Sequence, residues 1–244
     1  MSDAASTSIP ALNPAHDWRR LAQVYARFGR IHIPAILTEP SALRVHQALA
    51  AETPYSLVVN SGETYFDLSA ADLARMSVEE RRKLVESAYA GTHRGFQLFY
   101  ENHRLSEAGE PYPDPASYLA RITAFLNSPE FLTFVRAVTA ENRIAFADVQ
   151  ATRYGPGHFL TQHDDGLAGK NRLVAYVLNM TPHWRADWGG NLMFINREGQ
   201  IAEGYVPTFN ALNLLRVPQP HLVSAVAPFA GAHRLSVTGW LRTR

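Results

Sequence analysis

Residues 154–166 include His163 and Asp165, two side chains of the kinds that bind metal ions. On an extended strand, residues two apart project from the same face. An imidazole and a carboxylate on one face supply two of the three ligands of the 2-His-1-carboxylate triad, which holds Fe(II) and leaves coordination positions open. The third ligand would have to come from a distant strand, and His221, near the start of an apolar run, is the candidate. The sequence therefore predicts a metal site formed by His163, Asp165 and His221.

Other histidines and carboxylates fit this site less well. An isolated His-x-Asp pair carries little weight in a chain with ten histidines. Asp164 would project from the opposite face, and His158 lies an odd number of residues before His163, so it would also face away. His183 and His233 flank turns, which is typical of surface residues. The prediction rests instead on the order of the parts, in which strand-like runs separate the His-x-Asp pair from the third ligand and from a later arginine.

That arginine is Arg234, which alternates with Ser236 and Thr238 along a strand-like run, so that the three side chains share a face. A wholly polar face inside a barrel requires a polar ligand, because burying unpaired polar groups is costly. A guanidinium offers two parallel donors that match a carboxylate. The pattern therefore indicates that Arg234 binds a carboxylate, with the two hydroxyls as possible further donors.

The composition excludes several other kinds of site. The chain has 244 residues, 46% of them hydrophobic and 18% charged, as in an ordinary globular domain. It has no cysteine, which excludes disulfides, thiolate-bound zinc and iron–sulfur clusters. A net charge of +1 favours neither a nucleic acid nor a membrane as a partner. The N-terminus lacks the features of a signal peptide and no apolar run could span a membrane, so we expect a cytoplasmic protein.

The chain divides into a mainly helical half and a strand-rich half. We expect residues 1–14 to be disordered and residues 15–244 to form a single domain. Within it, residues 15–142 would be a helical support with a few strands and residues 143–244 the catalytic core. Helical periodicity and start signals predict helices at 17–30, 42–51, 77–90, 116–126 and 129–140, with strands at 31–37, 56–60 and 94–102.

From Phe146 onward the hydrophobic pattern becomes strand-like. Short runs separated by Gly, Pro, Asn or Asp predict eight strands, at 146–154, 159–163, 172–178, 190–194, 200–206, 211–216, 222–226 and 235–241. Eight strands at this spacing are typical of a jelly roll. Because helices precede strands instead of alternating with them, the predicted class is α+β: a double-stranded β-helix (jelly roll) with an N-terminal helical support.

These features resemble the Fe(II)/2-oxoglutarate-dependent dioxygenases, and within them the prolyl hydroxylase branch. The resemblance covers about residues 146–240 and includes Tyr154, His163-x-Asp165, Tyr176 to Asn179, Gly189-Gly190, His221 and Arg234-x-Ser236-x-x-Gly239-Trp240. It is similar in particular to the catalytic domain of ribosomal-protein prolyl 3,4-hydroxylases and their bacterial relatives. The resemblance implies Fe(2+) as the metal, 2-oxoglutarate and O2 as cosubstrates, and succinate and CO2 as coproducts.

The resemblance also implies roles for further residues. Arg234 would hold the distal carboxylate of 2-oxoglutarate, and Tyr154 and Tyr176 would hydrogen-bond this cosubstrate. Trp240 would pack at the pocket wall. We expect Phe96 and Tyr100 to be either core residues or part of the mouth of the site, where aromatic side chains could contact a proline ring. Beyond the metal and cosubstrate ligands, no protein acid or base is required.

The sequence leaves the substrate open between several classes. The first hypothesis is a prolyl residue in a protein or peptide, with a component of the translation machinery as a target and ascorbate as the reductant that maintains Fe(2+). The second is a free amino acid or other small metabolite. The third is a metal-binding or sensing module without turnover, against which the complete ligand set argues. An open groove beside residues 96–100 would favour a peptide, and a closed cavity would favour a metabolite.

Overall fold

The computed structural model describes residues 9–244. Its α-helices lie before the last hundred residues: α1 (Trp18–Phe28), α2 (Glu39–Gln47), α3 (Ala70–Arg75), α4 (Val78–Gly91), α5 (Tyr118–Leu126) and α6 (Pro129–Thr139). A π-helical turn, Ala48–Glu52, extends α2, and a 3-10 turn lies at Ala186–Trp188. None of the helices in residues 9–244 is long and apolar enough to cross a membrane.

The strands form a nearly closed antiparallel barrel. They are β1 (Arg30–Ile33), β2 (Ser56–Ser61), β3 (Thr64–Leu68), β4 (Leu98–Ser106), β5 (Phe146–Ala147), β6 (Val149–Tyr154), β7 (Phe159–His163), β8 (Arg172–Asn179), β9 (Leu192–Ile195), β10 (Ile201–Tyr205), β11 (Ala211–Arg216), β12 (His221–Val223) and β13 (Arg234–Arg242). Their hydrogen-bonded order is β1-β11-β8-β13-β6-β4-β7-β12-β9-β10, with β2 joining β4 to β3 and with β5 beside β13. This order brings the distant strands β7 and β12 side by side.

Local sequence signals explain where the helices begin. The Ser77 hydroxyl accepts from the backbone N–H of Glu80, and the Glu80 carboxylate accepts from the backbone N–H of Ser77. Together these two bonds form a capping box at the start of α4. Ser128 caps α6 by accepting from the N–H of Phe131, with a proline at the first helical position. These contacts satisfy N–H groups that the first turn of a helix leaves without partners.

The main hydrophobic core lies between the helices and the outer face of the barrel. Helices α1, α5 and α6 contribute to it, and α1 packs on α6 with the ring of Trp18 edge-on to Phe134 at 5.4 Å. On β13, Leu235 and Val237 belong to this core, so that Arg234 and Ser236 face the barrel interior. The helical layer therefore supports the sheet from outside and leaves the polar face of β13 turned inward.

The strands and helices largely follow the predicted pattern, with three differences. Residues 9–14, predicted to be disordered, pack on the fold: Leu12 forms a β-bridge with Leu37, and Asn13 N–H donates to the Ile36 carbonyl. The rest of that prediction, residues 1–8, lies outside the described residues. Strand β3 and helix α3 were not predicted, because their side chains are mostly exposed and form no clear hydrophobic pattern. The predicted strand 94–102 begins only at Leu98, because residues 92–97 form a turn and an irregular segment.

Candidate metal centre

Two histidines reach the site from neighbouring strands. His163 ends β7, His221 begins β12, and the two are direct partners in the antiparallel register. Their ring centroids are 4.2 Å apart. The Nδ1–H of His163 donates to the Thr161 carbonyl at 2.9 Å, and the Nδ1–H of His221 donates to the Gln219 carbonyl at 2.7 Å. Because a carbonyl can only accept, these bonds fix the tautomer in which Nε2 keeps its lone pair for a metal.

Asp165 completes the cluster from a position just beyond β7. Its Oδ1 lies 3.6 Å from Nε2 of His163 and its Oδ2 lies 3.5 Å from Nε2 of His221. One ligand atom from each of the three residues can be chosen so that all lie within 4.8 Å of one another. The three side chains therefore converge as the sequence predicted.

The reason given for that convergence was wrong, however. The prediction placed His163 and Asp165 on one continuous extended strand, whereas β7 ends at His163 and Asp165 has a φ of +64°. The carboxylate reaches the imidazoles because the chain turns through a left-handed residue, a conformation that non-glycine residues seldom adopt.

The donor set fits a divalent transition metal. Two imidazoles and one carboxylate on one side of a site are the ligands expected for non-haem Fe(II), and Mn²⁺, Co²⁺ or Ni²⁺ would accept the same atoms. Burial lowers the pKa of His221, and its neighbour His163 lowers it further, although Asp165 acts in the opposite direction. The buried histidine is therefore kept neutral, as a metal ligand must be.

The other candidate ligands are not part of the cluster of His163, Asp165 and His221. Asp164 is exposed, and its Oδ1 accepts from the Gly166 N–H. The Nδ1 of His158 accepts from the Gly155 N–H, and its ring packs edge-on to Phe99 at 5.1 Å. His183 and His233 are exposed and border a separate cavity of about 300 Å³.

Arg234 is a buried cation whose donors are not fully used. It is only 2% exposed, and its Nε and Nη1 have no hydrogen-bond partner within residues 9–244. Its partner across the sheet is Tyr154 on β6, whose ring centroid lies 5.1 Å from the guanidinium carbon. Burial lowers the pKa of Arg234, but an arginine stays charged in proteins. An unpaired buried guanidinium is the donor arrangement that a carboxylate ligand requires.

A single cavity of about 780 Å³ joins the metal-binding cluster to this arginine. Its lining includes His163, Asp165, His221, Arg234, Tyr154, Thr238, Trp240, Phe96 and Tyr100, all of them predicted site residues. Ser236 faces the same interior and its hydroxyl is buried without a partner, but it is not among the cavity-lining residues in the described part of the chain.

The tyrosines differ in what their side chains do. The ring of Tyr154 stacks on Tyr100 at 4.7 Å inside the cavity lining, where burial raises its pKa well above the usual value. Tyr176 also borders the cavity, but its hydroxyl donates to the Asp148 carbonyl at 2.8 Å and its ring packs against Phe131 in the helix-facing core. The contact with Asp148 favours a role in the core over the predicted hydrogen bond to a cosubstrate, because β8 alternation turns this side chain outward.

The mouth of the cavity is aromatic. The ring of Phe96 lies edge-on to His163 at a centroid distance of 5.6 Å. Phe96 and Tyr65 border both the metal-site cavity and a second cavity of about 630 Å³, which extends between the β2–β3 turn and residues 94–97. Tyr65 was not predicted as a site residue because it lies on β3, a strand that the hydrophobic pattern did not indicate. Arg172, which also lines the metal-site cavity, was not predicted because a charged residue at the start of a strand is usually solvated.

The C-terminal half also matches known proteins in sequence. Residues 149–242 match the family model of the 2OG-Fe(II) oxygenase superfamily. Prolyl 3-hydroxylase OGFOD1 of Mus musculus is 32% identical over 100 residues, which are 38% of this chain and 18% of that protein. The chain therefore spans less than a fifth of the length of this curated relative.

Solved structures extend the similarity to almost the whole chain. An oxidoreductase of the 2OG-Fe(II) oxygenase family from Burkholderia pseudomallei has a TM-score of 0.62 at 15% identity, covering 96% of this chain and 95% of that one. A prolyl hydroxylase from Trichoplax adhaerens, in complex with a peptide fragment of the hypoxia inducible factor oxygen degradation domain, has a TM-score of 0.56 at 15% identity and covers 93% and 89%. At such identities the likeness concerns the fold, and it confirms the predicted jelly roll with helical support.

Proposed function

We propose that the protein is a prolyl hydroxylase-like Fe(II)/2-oxoglutarate-dependent dioxygenase, because residues 149–242 match the family model of the 2OG-Fe(II) oxygenase superfamily. Its substrate would be a C–H bond of a prolyl residue in a protein or peptide. In the balanced reaction, substrate, O2 and 2-oxoglutarate give hydroxylated substrate, succinate and CO2. The observation that carries this proposal is the shared cavity in which a two-histidine, one-carboxylate cluster meets a buried arginine that has no hydrogen-bond partner within residues 9–244.

The residues of the cavity have distinct tasks in this proposal. His163, Asp165 and His221 would hold Fe(II), and Arg234 would pair with the distal carboxylate of 2-oxoglutarate. When bound, iron, 2-oxoglutarate and O2 together supply the oxidising power for C–H hydroxylation. Tyr154 and Thr238 line the same cavity and would add polar contacts to the cosubstrate.

Apolar side chains complete the cavity and would limit the access of water. Leu192, Leu215, Val223 and Val177 line it between the polar groups. Excluding water strengthens the pairing between a guanidinium and a carboxylate, because their attraction grows as the local dielectric falls. The protein would thus contribute ligand geometry and a dry pocket, without a side chain acting as acid or base.

The shape of the mouth supports a peptide as substrate. Phe96 and Tyr65 border both the metal-site cavity and the second cavity, so the two adjoin at these side chains, and in this proposal they form one groove. An extended chain could place one proline at the metal and its neighbours along this groove. The likeness to a prolyl hydroxylase solved with a peptide fragment supports the same substrate class.

A small metabolite is the second candidate. The volume of about 780 Å³ lies in the range of cavities that enclose small ligands, so a free amino acid would also fit. The peptide hypothesis is preferred because a free amino acid would occupy the metal-site cavity alone and leave the adjoining second cavity empty. A target in the translation machinery, ascorbate as reductant and a cytoplasmic location are further parts of the proposal, carried over from the sequence resemblance and the composition.

The first experiment is to measure succinate formed from 2-oxoglutarate by Fe(II)-loaded protein in air. Prolyl peptides are compared with the same peptides carrying alanine in place of proline. We expect iron-dependent succinate that rises with the prolyl peptide and hydroxylation of that peptide by mass spectrometry. The variant Tyr65→Ala should raise the KM for a long peptide more than for a short one, because Tyr65 borders the second cavity, which only the longer peptide would reach.

Iron-dependent succinate that responds to free amino acids but to no peptide would favour the metabolite hypothesis. If the protein binds metal but forms no succinate, whether or not a candidate substrate is present, the dioxygenase proposal is contradicted and a metal-binding module is favoured.

A further inference from the structure

Arg172, the first residue of β8, contacts the metal ligand Asp165 in two ways. Its Nη1 donates to the Asp165 main-chain carbonyl at 3.2 Å and lies 3.9 Å from the carboxylate Oδ1. The side chains of Arg172 and Asp165 are 15% and 8% exposed, respectively. A cation held this close in a shielded setting acts on both the backbone and the charge of the ligand residue.

The guanidinium of Arg172 is itself held in place by an aromatic ring. Its central carbon lies 3.5 Å from the ring centroid of Trp240 on β13, which is a close cation–π contact. The Nε of Arg172 is buried without a hydrogen-bond partner in the described part of the chain. The ring therefore fixes the plane of the guanidinium, and only one edge of the guanidinium is directed at Asp165.

Asp165 needs such support because its backbone is unusual. Its φ of +64° places a residue with a Cβ in the left-handed region, which L-residues disfavour. The neighbouring residue Asp164 is held on both sides, since its carboxylate accepts from the Gly166 N–H and its carbonyl accepts from the Gln219 N–H, whereas the carbonyl of Asp165 accepts from Arg172. If Asp165 relaxed to an extended conformation, its carboxylate would leave the two imidazoles.

We propose that Arg172, seated on Trp240, is a positioning residue that holds Asp165 in its left-handed conformation and so keeps its carboxylate aimed at the metal. The inference rests on the proposed function only in requiring that His163, Asp165 and His221 bind a metal. It assigns a role in ligand geometry to a residue pair that need not touch the cosubstrate.

A guanidinium is required for this role. An ammonium group could approach the Asp165 carbonyl, but it is not planar. A guanidinium can donate to the carbonyl from one edge while its flat face stacks on the indole of Trp240. Arg172→Lys should therefore keep the positive charge at this position but hold Asp165 less well than the arginine does. Arg172→Gln should remove both the charge and the stacked plane.

The test measures the binding of Co²⁺ alone to metal-free protein, by the visible absorbance that reports its coordination. Because outer hydrogen-bond partners of metal ligands typically contribute 10- to 100-fold to metal affinity, we expect R172Q to weaken Co²⁺ binding by about that factor and to change the absorbance band. R172K should fall between R172Q and the unaltered protein. Thermal midpoints are measured on the metal-free proteins in parallel.

Arg242 offers a matched control. It is the register partner of Arg172 on β13 and is also a largely buried arginine, but it pairs with Asp148 at 3.0 Å, outside the metal cluster. R242Q should lower the thermal midpoint and leave the Co²⁺ affinity of the folded protein within about twofold, since it removes none of the contacts to Asp165.

The outcomes separate the two proposals. If the unaltered protein does not bind Co²⁺, or if H163A does not reduce binding, the metal site itself is wrong. If the unaltered protein binds but R172Q and R172K match it, or if R242Q loses as much affinity as R172Q, the positioning role of Arg172 is overturned. Should R172Q not fold, R172K decides: reduced affinity with an altered absorbance band supports the role, and an unchanged band and affinity reject it.

Discussion

His163 and His221 are direct cross-strand partners, with ring centroids 4.2 Å apart, although 57 residues separate them in the chain. The register between β7 and β12 is therefore part of the metal site. A shift by one residue would turn His221 to the other face of the sheet. On the far side, β12 also pairs with β9, where His221 lies opposite Phe194, so that two neighbouring strands fix its position.

The first prediction concerns the metal ligands. His163→Ala and Asp165→Ala should each abolish iron-dependent succinate formation, because two remaining ligands cannot hold the metal in the required arrangement. The measurements are metal content, succinate and circular dichroism. His183→Ala, which changes an exposed histidine outside this cavity, should keep full activity. Full activity in either of the first two variants would remove that residue from the metal site.

The second prediction concerns the buried cation. Arg234→Ala should weaken 2-oxoglutarate binding by about 2–5 kcal/mol, as expected when one partner of a buried charged pair is lost. Titration of 2-oxoglutarate into the anaerobic, metal-loaded protein measures this directly. Arg185→Ala is the control, since Arg185 forms an exposed ion pair with Asp187. An unchanged affinity in Arg234→Ala would mean that the carboxylate binds elsewhere.

The third prediction tests the different positions of two tyrosines. Tyr176→Phe should lower the free energy of unfolding by about 1 kcal/mol, because it removes the bond to the Asp148 carbonyl, and should leave the KM for 2-oxoglutarate unchanged. Tyr154→Phe should instead raise this KM, since Tyr154 lines the cavity beside Arg234. Denaturant unfolding and steady-state kinetics on both variants make the comparison. A raised KM in Tyr176→Phe would restore the original assignment.

The fourth prediction is a dependence of stability on pH. Burial lowers the pKa of His158 below its ordinary value of 6.5, and its Nδ1 must stay unprotonated to accept from the Gly155 N–H. The unfolded chain therefore binds this proton more readily than the folded protein does. The contribution to stability is complete above pH 6.5 and is lost as the pH falls below that value, with a slope of at most about 1.4 kcal/mol per pH unit.

Urea unfolding of metal-free protein between about pH 5 and pH 8 measures this slope, in the range where histidines titrate. His158→Gln should show a shallower decline on the acid side, because glutamine has no proton to gain. Identical pH profiles for the two proteins would assign the acid sensitivity to other groups.

The sequence was sufficient for those parts of the site that depend on strand order and alternation. Arg234 and Thr238 project to one face of β13 because an extended strand leaves little freedom in side-chain direction. Predictions from strand alternation were wrong where the backbone is not extended, since Asp165 reaches the cluster through a left-handed turn. Tyr176 could not be assigned to a face from the sequence, because β8 is buried on both sides and its pattern lacks a polar side.

Arg172 and residues 9–14 show a different limit, because their surroundings come from distant parts of the chain. The stacking of Arg172 on Trp240 depends on how β8 pairs with β13, which no local pattern specifies. Likewise, Leu12 is ordered by its bridge to Leu37, although the composition around it is typical of a loose terminus.

Arg234 has donors without a partner among residues 9–244, and this links the lifetime of the protein to the supply of a metabolite. A buried charge without a partner destabilises the fold, and a dicarboxylate that pairs with it stabilises only the folded form. At a hundred times its dissociation constant, such a ligand adds about 2.7 kcal/mol. Under the proposed function, scarcity of 2-oxoglutarate in a cell would therefore do more than slow turnover. It would enlarge the unfolded fraction on which proteases act, so that the abundance of the protein would fall together with the proposed cosubstrate.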